Sequence, residues 1–299
     1  MFTMLLKDVI FMNSTQFTRK TKDNTKLYFN AHSPKLKAEA TICIVHGLGD
    51  HSGLFKNLID YYLSKNYAVV TIDLRGHGNS EGLRGHIPSY EAVIDDLDIL
   101  FNEAKKLFPN IPIFFYGHSF GGNLVINYAL RKKPLLDGII ATAPWLSLTY
   151  DPSKAKLFML KLLNSVYPKS SLALGVVDSS ALSHNKNLQE SYNSDPLVHD
   201  KITARLYLNA FHAGRWAIEN ASSLTIPLLL LHGTADSITS PKASEAFAKN
   251  SPKNLCDLKL LEGLYHSLHN EINYKEIYEY VNIWIEEKIS ETNIIENIN

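Results

Sequence analysis

The sequence predicts an α/β fold built on a mostly parallel central sheet, with helices on both faces and a helical cap insertion. Three observations predict it. Short apolar runs recur along the 299 residues, and they are continuous rather than alternating, as in strands buried on both faces of a parallel sheet. Segments with apolar residues at helical spacing separate them. One stretch, residues 145–205, breaks the alternation.

The residues before Thr41 are polar and read as a hairpin-like edge. The first apolar run, Thr41 to Val45, ends in the glycine turn His46-Gly47-Leu48-Gly49-Asp50. The second, Tyr67 to Ile72, ends in Asp73-Leu74-Arg75-Gly76-His77-Gly78. Ile111 to Tyr116 ends in Gly117, and Leu135 to Ala141 ends near Pro144. Pro227 to Leu231 ends in His232-Gly233, and Leu255 to Leu261 supplies a sixth candidate. Between these runs, Leu54 to Leu63, Val93 to Phe101, Asn123 to Leu130 and Ile277 to Ile285 have helical character.

Residues 145–205 show no clear strand, and Pro144, Pro152, Pro168 and Pro196 punctuate them. Within them Ala155 to Val166 reads as a helix that is apolar almost all round. Its position after a strand end, where loops of an open sheet build the active site, suggests a cap over that edge. The expected division is a core of residues 1–144 and 206–299 with a cap of residues 145–205. Leu157, Phe158 and Leu160 are the cap residues expected to bind substrate, beside Met159, Leu162 and Leu163. An ordinary core helix is the alternative.

Bulk properties narrow the class. Thirty Lys and Arg balance thirty Asp and Glu, and 45% of residues are hydrophobic. A sizeable core is affordable, and the basic excess of a nucleic-acid binder is absent. Cys43 lies in an apolar run and Cys256 beside another, so both read as reduced core thiols. No run of eighteen or more apolar residues suggests a membrane span. Met1 to Asp8 lacks a positive flank and a small-residue cleavage site, unlike a signal peptide; Met4 and Met12 are alternative starts. The expected location is the cytoplasm, with peripheral, transient membrane-surface contact through the cap.

The chemistry is concentrated in Gly117-His118-Ser119-Phe120-Gly121, followed by Gly122. This fits G-x-S-x-G between a strand and a helix, the nucleophile elbow of the α/β-hydrolase fold. A serine hydroxyl needs a base, so the pattern demands a later acid and then a histidine. Asp236 follows the fifth run and His266 follows the sixth, so both fall at strand ends on the rim that carries Ser119. Ser119, Asp236 and His266 are therefore the expected catalytic residues. His269 is the competing base and Asp200 the competing acid. His46, His51, His77 and His118 match no metal motif and read as hydrogen-bonding scaffolds of the loops; no metal is expected. The oxyanion needs two backbone N–H donors, for which Phe120 and Leu48 stand in the right loops.

His46-Gly47-Leu48-Gly49-Asp50-His51-Ser52, Asp73 to Ser80, and Gly117 to Gly122 resemble monoacylglycerol lipases and bacterial lysophospholipases, in the serine hydrolase family with serine aminopeptidase-like members. Asp195-Pro196-Leu197-Val198, His232 to Asp236 and Tyr265 to His269 extend the resemblance to residues 20–288. It implies a cofactor-free esterase acting on fatty acyl esters of glycerol or of a lysophospholipid, with the same triad and the same two donors. Two positions depart from the family's habit: Phe120 where Met is common, and Leu48 where a small residue is common. Both leave the backbone donors in place and alter the acyl pocket. Alternatives on the same residues are a short-chain esterase, a thioesterase, an aminopeptidase, or a catalytically silent binding protein. A haloalkane dehalogenase would want an aspartate where Ser119 stands.

Overall fold

The structure, a computed structural model, describes residues 13–150, 152–173 and 179–298. The Met1 to Asp8 segment lies outside them. Strands β1 (Asn13–Lys20) and β2 (Lys26–Ser33) form an antiparallel hairpin at one edge. The sheet continues with β3 (Ala40–Val45), β4 (Tyr67–Asp73), β5 (Ile113–His118), β6 (Gly138–Thr142), β9 (Leu228–Gly233) and β10 (Cys256–Leu261). The spatial order is β1-β2-β4-β3-β5-β6-β9-β10. β2 pairs with β4 antiparallel, and every pair from β4 to β10 is parallel.

The continuous apolar runs are explained by which face each residue serves. On β5, Ile113 and Phe115 enter one core while Phe114 and Tyr116 enter the other. On β9, Leu228 and Leu230 divide from Leu229 and Leu231 in the same way. Helices α2 (Tyr90–Leu107), α3 (Phe120–Lys132), α6 (Ala204–Glu219) and α7 (Pro241–Asn250) contribute to the first core. Helices α1 (Lys56–Ser64) and α8 (Tyr274–Ile298) cover the second. The expected α/β-hydrolase architecture is borne out.

Three local readings change. The run from Leu135 is strand only from Gly138, because α3 ends on Lys133 with a left-handed φ of 48° and Pro134 follows. Leu135 is 83% exposed in that connection. Residues 145–205, read as strandless, contain a small antiparallel pair, β7 (Ser171–Ala173) with β8 (Lys201–Thr203). Alongside it stand α4 (Lys154–Val166) and α5 (Lys186–Ser194). Helix α4 is not buried all round. Leu160 enters the core, Leu157 and Leu163 pack against it from partly buried positions, and Phe158, Met159, Leu162 and Val166 remain exposed.

Candidate active site

Ser119 joins β5 to α3 in a conformation that L-residues seldom adopt, φ 54° and ψ −113°. Such backbone costs on the order of 1–3 kcal/mol and persists only where the surroundings enforce it. Here they do. The Ser119 N–H donates to Thr142 O at 3.0 Å, and Ser119 O accepts from Asn123 and Trp145, each at 2.9 Å. The flanking glycines are needed for close approach: a Cβ on Gly117 would lie 2.5 Å from Gly121 O, and one on Gly121 would lie 2.1 Å from Val45 O. The side chain is thus held out at the sheet rim, at the N-terminus of α3, where partial positive charge gathers.

Asp236 follows β9 and is fully buried at its side chain. Its Oδ1 accepts the N–H groups of Ile238 (2.7 Å) and Thr239 (3.1 Å). Its Oδ2 stands 2.7 Å from His266 Nδ1, 3.1 Å from His232 Nε2 and 2.8 Å from Thr239 Oγ1. Burial alone would raise its pKa. The charge and hydrogen bonds of His266 and His232 outweigh burial and hold the carboxyl well below the usual carboxylate range. With Nδ1 turned to Asp236, Nε2 is the ring nitrogen left to take and return a proton.

Ser119 and His266 line one cavity of about 120 Å³. Leu48, Leu54, Leu148, Leu182, Leu188 and Ile238 give it apolar walls, and Trp145, Tyr192 and Tyr207 add aromatic ones. Asp50 also lines it, and among the described lining residues there is no Lys or Arg. Burial pushes the Asp50 carboxyl up to about 6, against the opposing hydrogen bond from Tyr192 Oη at 3.0 Å.

The other nominated residues fall as follows. Leu48 lines the cavity in the loop after β3, where a Cβ on neighbouring Gly47 would come 3.3 Å from Ser119 Cβ. Phe120 is the first residue of α3, with its ring buried against Trp145. Leu157, Phe158 and Leu160 are absent from the cavity lining. The reason is the orientation of α4, whose buried stripe turns to the core and whose other apolar residues turn outward. His269 lines the cavity, but its ring stacks on Phe55 with centroids 4.3 Å apart, and burial drives its pKa to about 3. No described contact joins Asp200 to His266. His118 packs beside His266 and His269, and burial holds it well below its ordinary pKa.

Several loop histidines brace the rim. His46 Nε2 accepts the Leu74 N–H at 2.9 Å, and His51 Nε2 meets Asp195 Oδ2 at 2.9 Å. Asp50, Tyr192, His184 and Glu271 also carry contacts at the site. Asp50 stands in the glycine turn after β3, which the sequence marks without giving it a role; no local motif singles out the other three.

Comparison with known proteins fits this geometry. A family model described as "Serine aminopeptidase, S33" matches residues 36–273. An abhydrolase domain-containing protein of Dictyostelium discoideum is 35% identical over 93% of this chain, and the chain spans only 30% of that protein's length. Rat monoglyceride lipase is 32% identical over 90% of this chain and 89% of its own length. The crystal structure of Paleococcus ferrophilus monoacylglycerol lipase superposes with a TM-score of 0.79 at 30% identity, covering 88% of this chain and 98% of that one.

Proposed function

Since the chain belongs to the serine aminopeptidase S33 family of hydrolases, we propose that it cleaves the carboxylic ester of a monoacylglycerol, with Ser119 as nucleophile, His266 as base and Asp236 as orienting acid. It is a carboxylic ester hydrolase that acts on lipid esters. The observation that carries the residue assignment is the 2.7 Å contact of His266 Nδ1 with Asp236 beside the cavity that Ser119 shares.

In this reading Ser119 Oγ attacks the acyl carbonyl as His266 Nε2 takes its proton. The oxyanion is held by the N–H groups of Phe120 and Leu48, each worth about 3 kcal/mol in the transition state. His266 then protonates the departing alcohol. Water, deprotonated by the same imidazole, releases the fatty acid from the acyl-enzyme. The apolar walls support an acyl chain. An acid and no Lys or Arg in the lining support an uncharged polyol leaving group over a phosphate-bearing one, since a buried carboxylate and a phosphate repel. Residues 145–205 serve as the cap in this reading. The exposed Phe158, Met159, Leu162 and Val166 of α4, with exposed Lys154, Lys156 and Lys161 nearby, support contact with a lipid surface.

Asp50 also favours a second reading. A carboxylate in such a cavity would seat the ammonium of a peptide, as an aminopeptidase requires. Turnover of monoacylglycerols, lysophospholipids, short p-nitrophenyl esters and amino-acid p-nitroanilides separates these readings. A preference for acetyl esters defeats the lipid assignment, and efficient p-nitroanilide hydrolysis favours the peptidase. Fluorophosphonate labelling that survives in Ser119→Ala would remove the nucleophile assignment.

A further inference from the structure

A third buried carboxylate lies beside the site and outside the cavity lining. Glu271 is 0% exposed. Its Oε1 accepts the backbone N–H of Tyr265 at 2.9 Å and stands 3.1 Å from His184 Nδ1. Its Oε2 accepts from the backbone N–H of His184 (3.1 Å), from Ser183 Oγ (3.2 Å) and from the N–H of Ile272 (3.3 Å). The imidazole of His184 stacks on the Tyr265 ring with centroids 3.8 Å apart. On the other side of His266, the Ser267 N–H donates to Leu182 O at 2.7 Å.

The arrangement is directional. Tyr265 and Ser267 flank His266 in the chain, and both are bound to residues 182–184 of the insertion. One bond is direct and the other passes through Glu271. No element of the sheet makes these bonds. A carboxyl group offers two acceptor oxygens to donors arriving from these sides, whereas an amide would turn an N–H toward some of them. A buried acceptor set of this density fixes one backbone path, because each freed donor would carry its own desolvation penalty.

We propose that Glu271 is the positioning residue for His266: it ties the loop that carries the base to residues 182–184, so that the insertion sets where the imidazole stands. The proposal rests on His266 being the base. Misplacing a reacting group by about 1 Å costs on the order of a hundredfold in rate, which makes such a tether visible in turnover.

The test compares wild type with Glu271→Gln, Glu271→Asp and His184→Ala, using p-nitrophenyl butyrate at temperatures well below each melting point. Four readouts are taken: kcat, KM, the rate of fluorophosphonate labelling at Ser119, and the low-field proton NMR signal of the His266–Asp236 hydrogen bond. Glu271→Gln should lower kcat and the labelling rate together by roughly tenfold to a hundredfold, with KM changed by less than about threefold. Its low-field signal should broaden or vanish, and Glu271→Asp, which keeps the charge, should recover part of kcat. His184→Ala, which keeps the carboxylate and removes one donor with the stacked ring, should lower kcat by roughly threefold to tenfold.

A Glu271→Gln protein that merely melts earlier, with wild-type kcat and an intact low-field signal, overturns the proposal. If that variant does not fold, wild-type kcat and labelling in His184→Ala overturn it instead. Failure of wild type to label at Ser119 strikes the catalytic reading itself. A labelled wild type beside indifferent variants strikes only the role of Glu271.

Discussion

At Ser119 and its neighbours, much of the candidate site is legible because local sterics demand particular residues. The strained turn needs glycine at 117 and 121, and the acid and base must follow strands that end on the same rim. The histidine choice is less legible, since His266 and His269 both lie in the right loop. They are separated by contacts: one meets Asp236, the other stacks on Phe55. Asp50 shows what a motif omits. Its meaning comes from Tyr192, which lies 142 residues away in sequence. Burial raises its pKa from 3.8 to about 6. A carboxyl whose folded pKa is raised favours the fold below its unfolded pKa, and that contribution is lost as pH rises from about 4 through 6. Asp50→Asn should therefore raise the melting temperature relative to wild type at pH 8, by a few degrees or so, with the difference closing toward pH 4. Thermal melts at the two pH values check it; an equal difference at both would contradict the assignment of burial as the cause.

Among the elements, the β3, β4, β5, β6 and β9 runs are readable because alternate residues serve two apolar cores, so no polar face interrupts them; β10, at the sheet edge, alternates instead, with Asp257 and Lys259 exposed. Element ends are less readable where a helix exit decides them, as at Lys133 and Leu135. The insertion is least readable. Its short strands are three residues each, below the length at which periodicity carries information. Helix α4 misleads for a physical reason. Apolar residues on both sides of a helix signal either full burial or a second environment besides the core, and here the outer face is exposed. Its exposed side chains lie outside the cavity lining, and the proposed function would turn them toward a lipid surface. The double variant Phe158→Ser with Leu162→Ser should leave hydrolysis of dissolved p-nitrophenyl butyrate within about twofold. Hydrolysis of monoacylglycerol presented in phospholipid vesicles should fall on the order of tenfold, given the transfer energies of Phe and Leu. Equal rates on vesicles would show that α4 takes no part in reaching the substrate.

Across the whole molecule, three distant parts meet at Arg75. Its guanidinium, 5% exposed, binds Asp96 of α2 through two hydrogen bonds of 2.6 and 2.7 Å. A third, of 2.8 Å, reaches Asp23 in the turn between β1 and β2. The antiparallel edge, the parallel sheet and a covering helix are thereby joined by one cation. Arg75→Ala leaves the buried Asp96 without its partner and should destabilise the protein by about 3–5 kcal/mol in denaturant unfolding. Well below the melting point, kcat should stay near wild type because the catalytic rim is elsewhere; a collapse of kcat in folded protein would show that this junction reaches the site. The overall architecture follows from the order of runs, whereas such a junction depends on residues brought together from 23, 75 and 96 and has no signature along the chain.

Asp236 does not depend on His266 alone for partners. Its Oδ2 also has His232, itself backed by Ser244 Oγ at 2.7 Å, and Thr239. The anion therefore keeps two partners besides the imidazole, and both belong to the scaffold around β9. In the proposed reaction the proton passes through one ring while the negative charge facing it is anchored by groups that exchange no proton, so the corner that would do the chemistry leans on bonds the chemistry leaves alone.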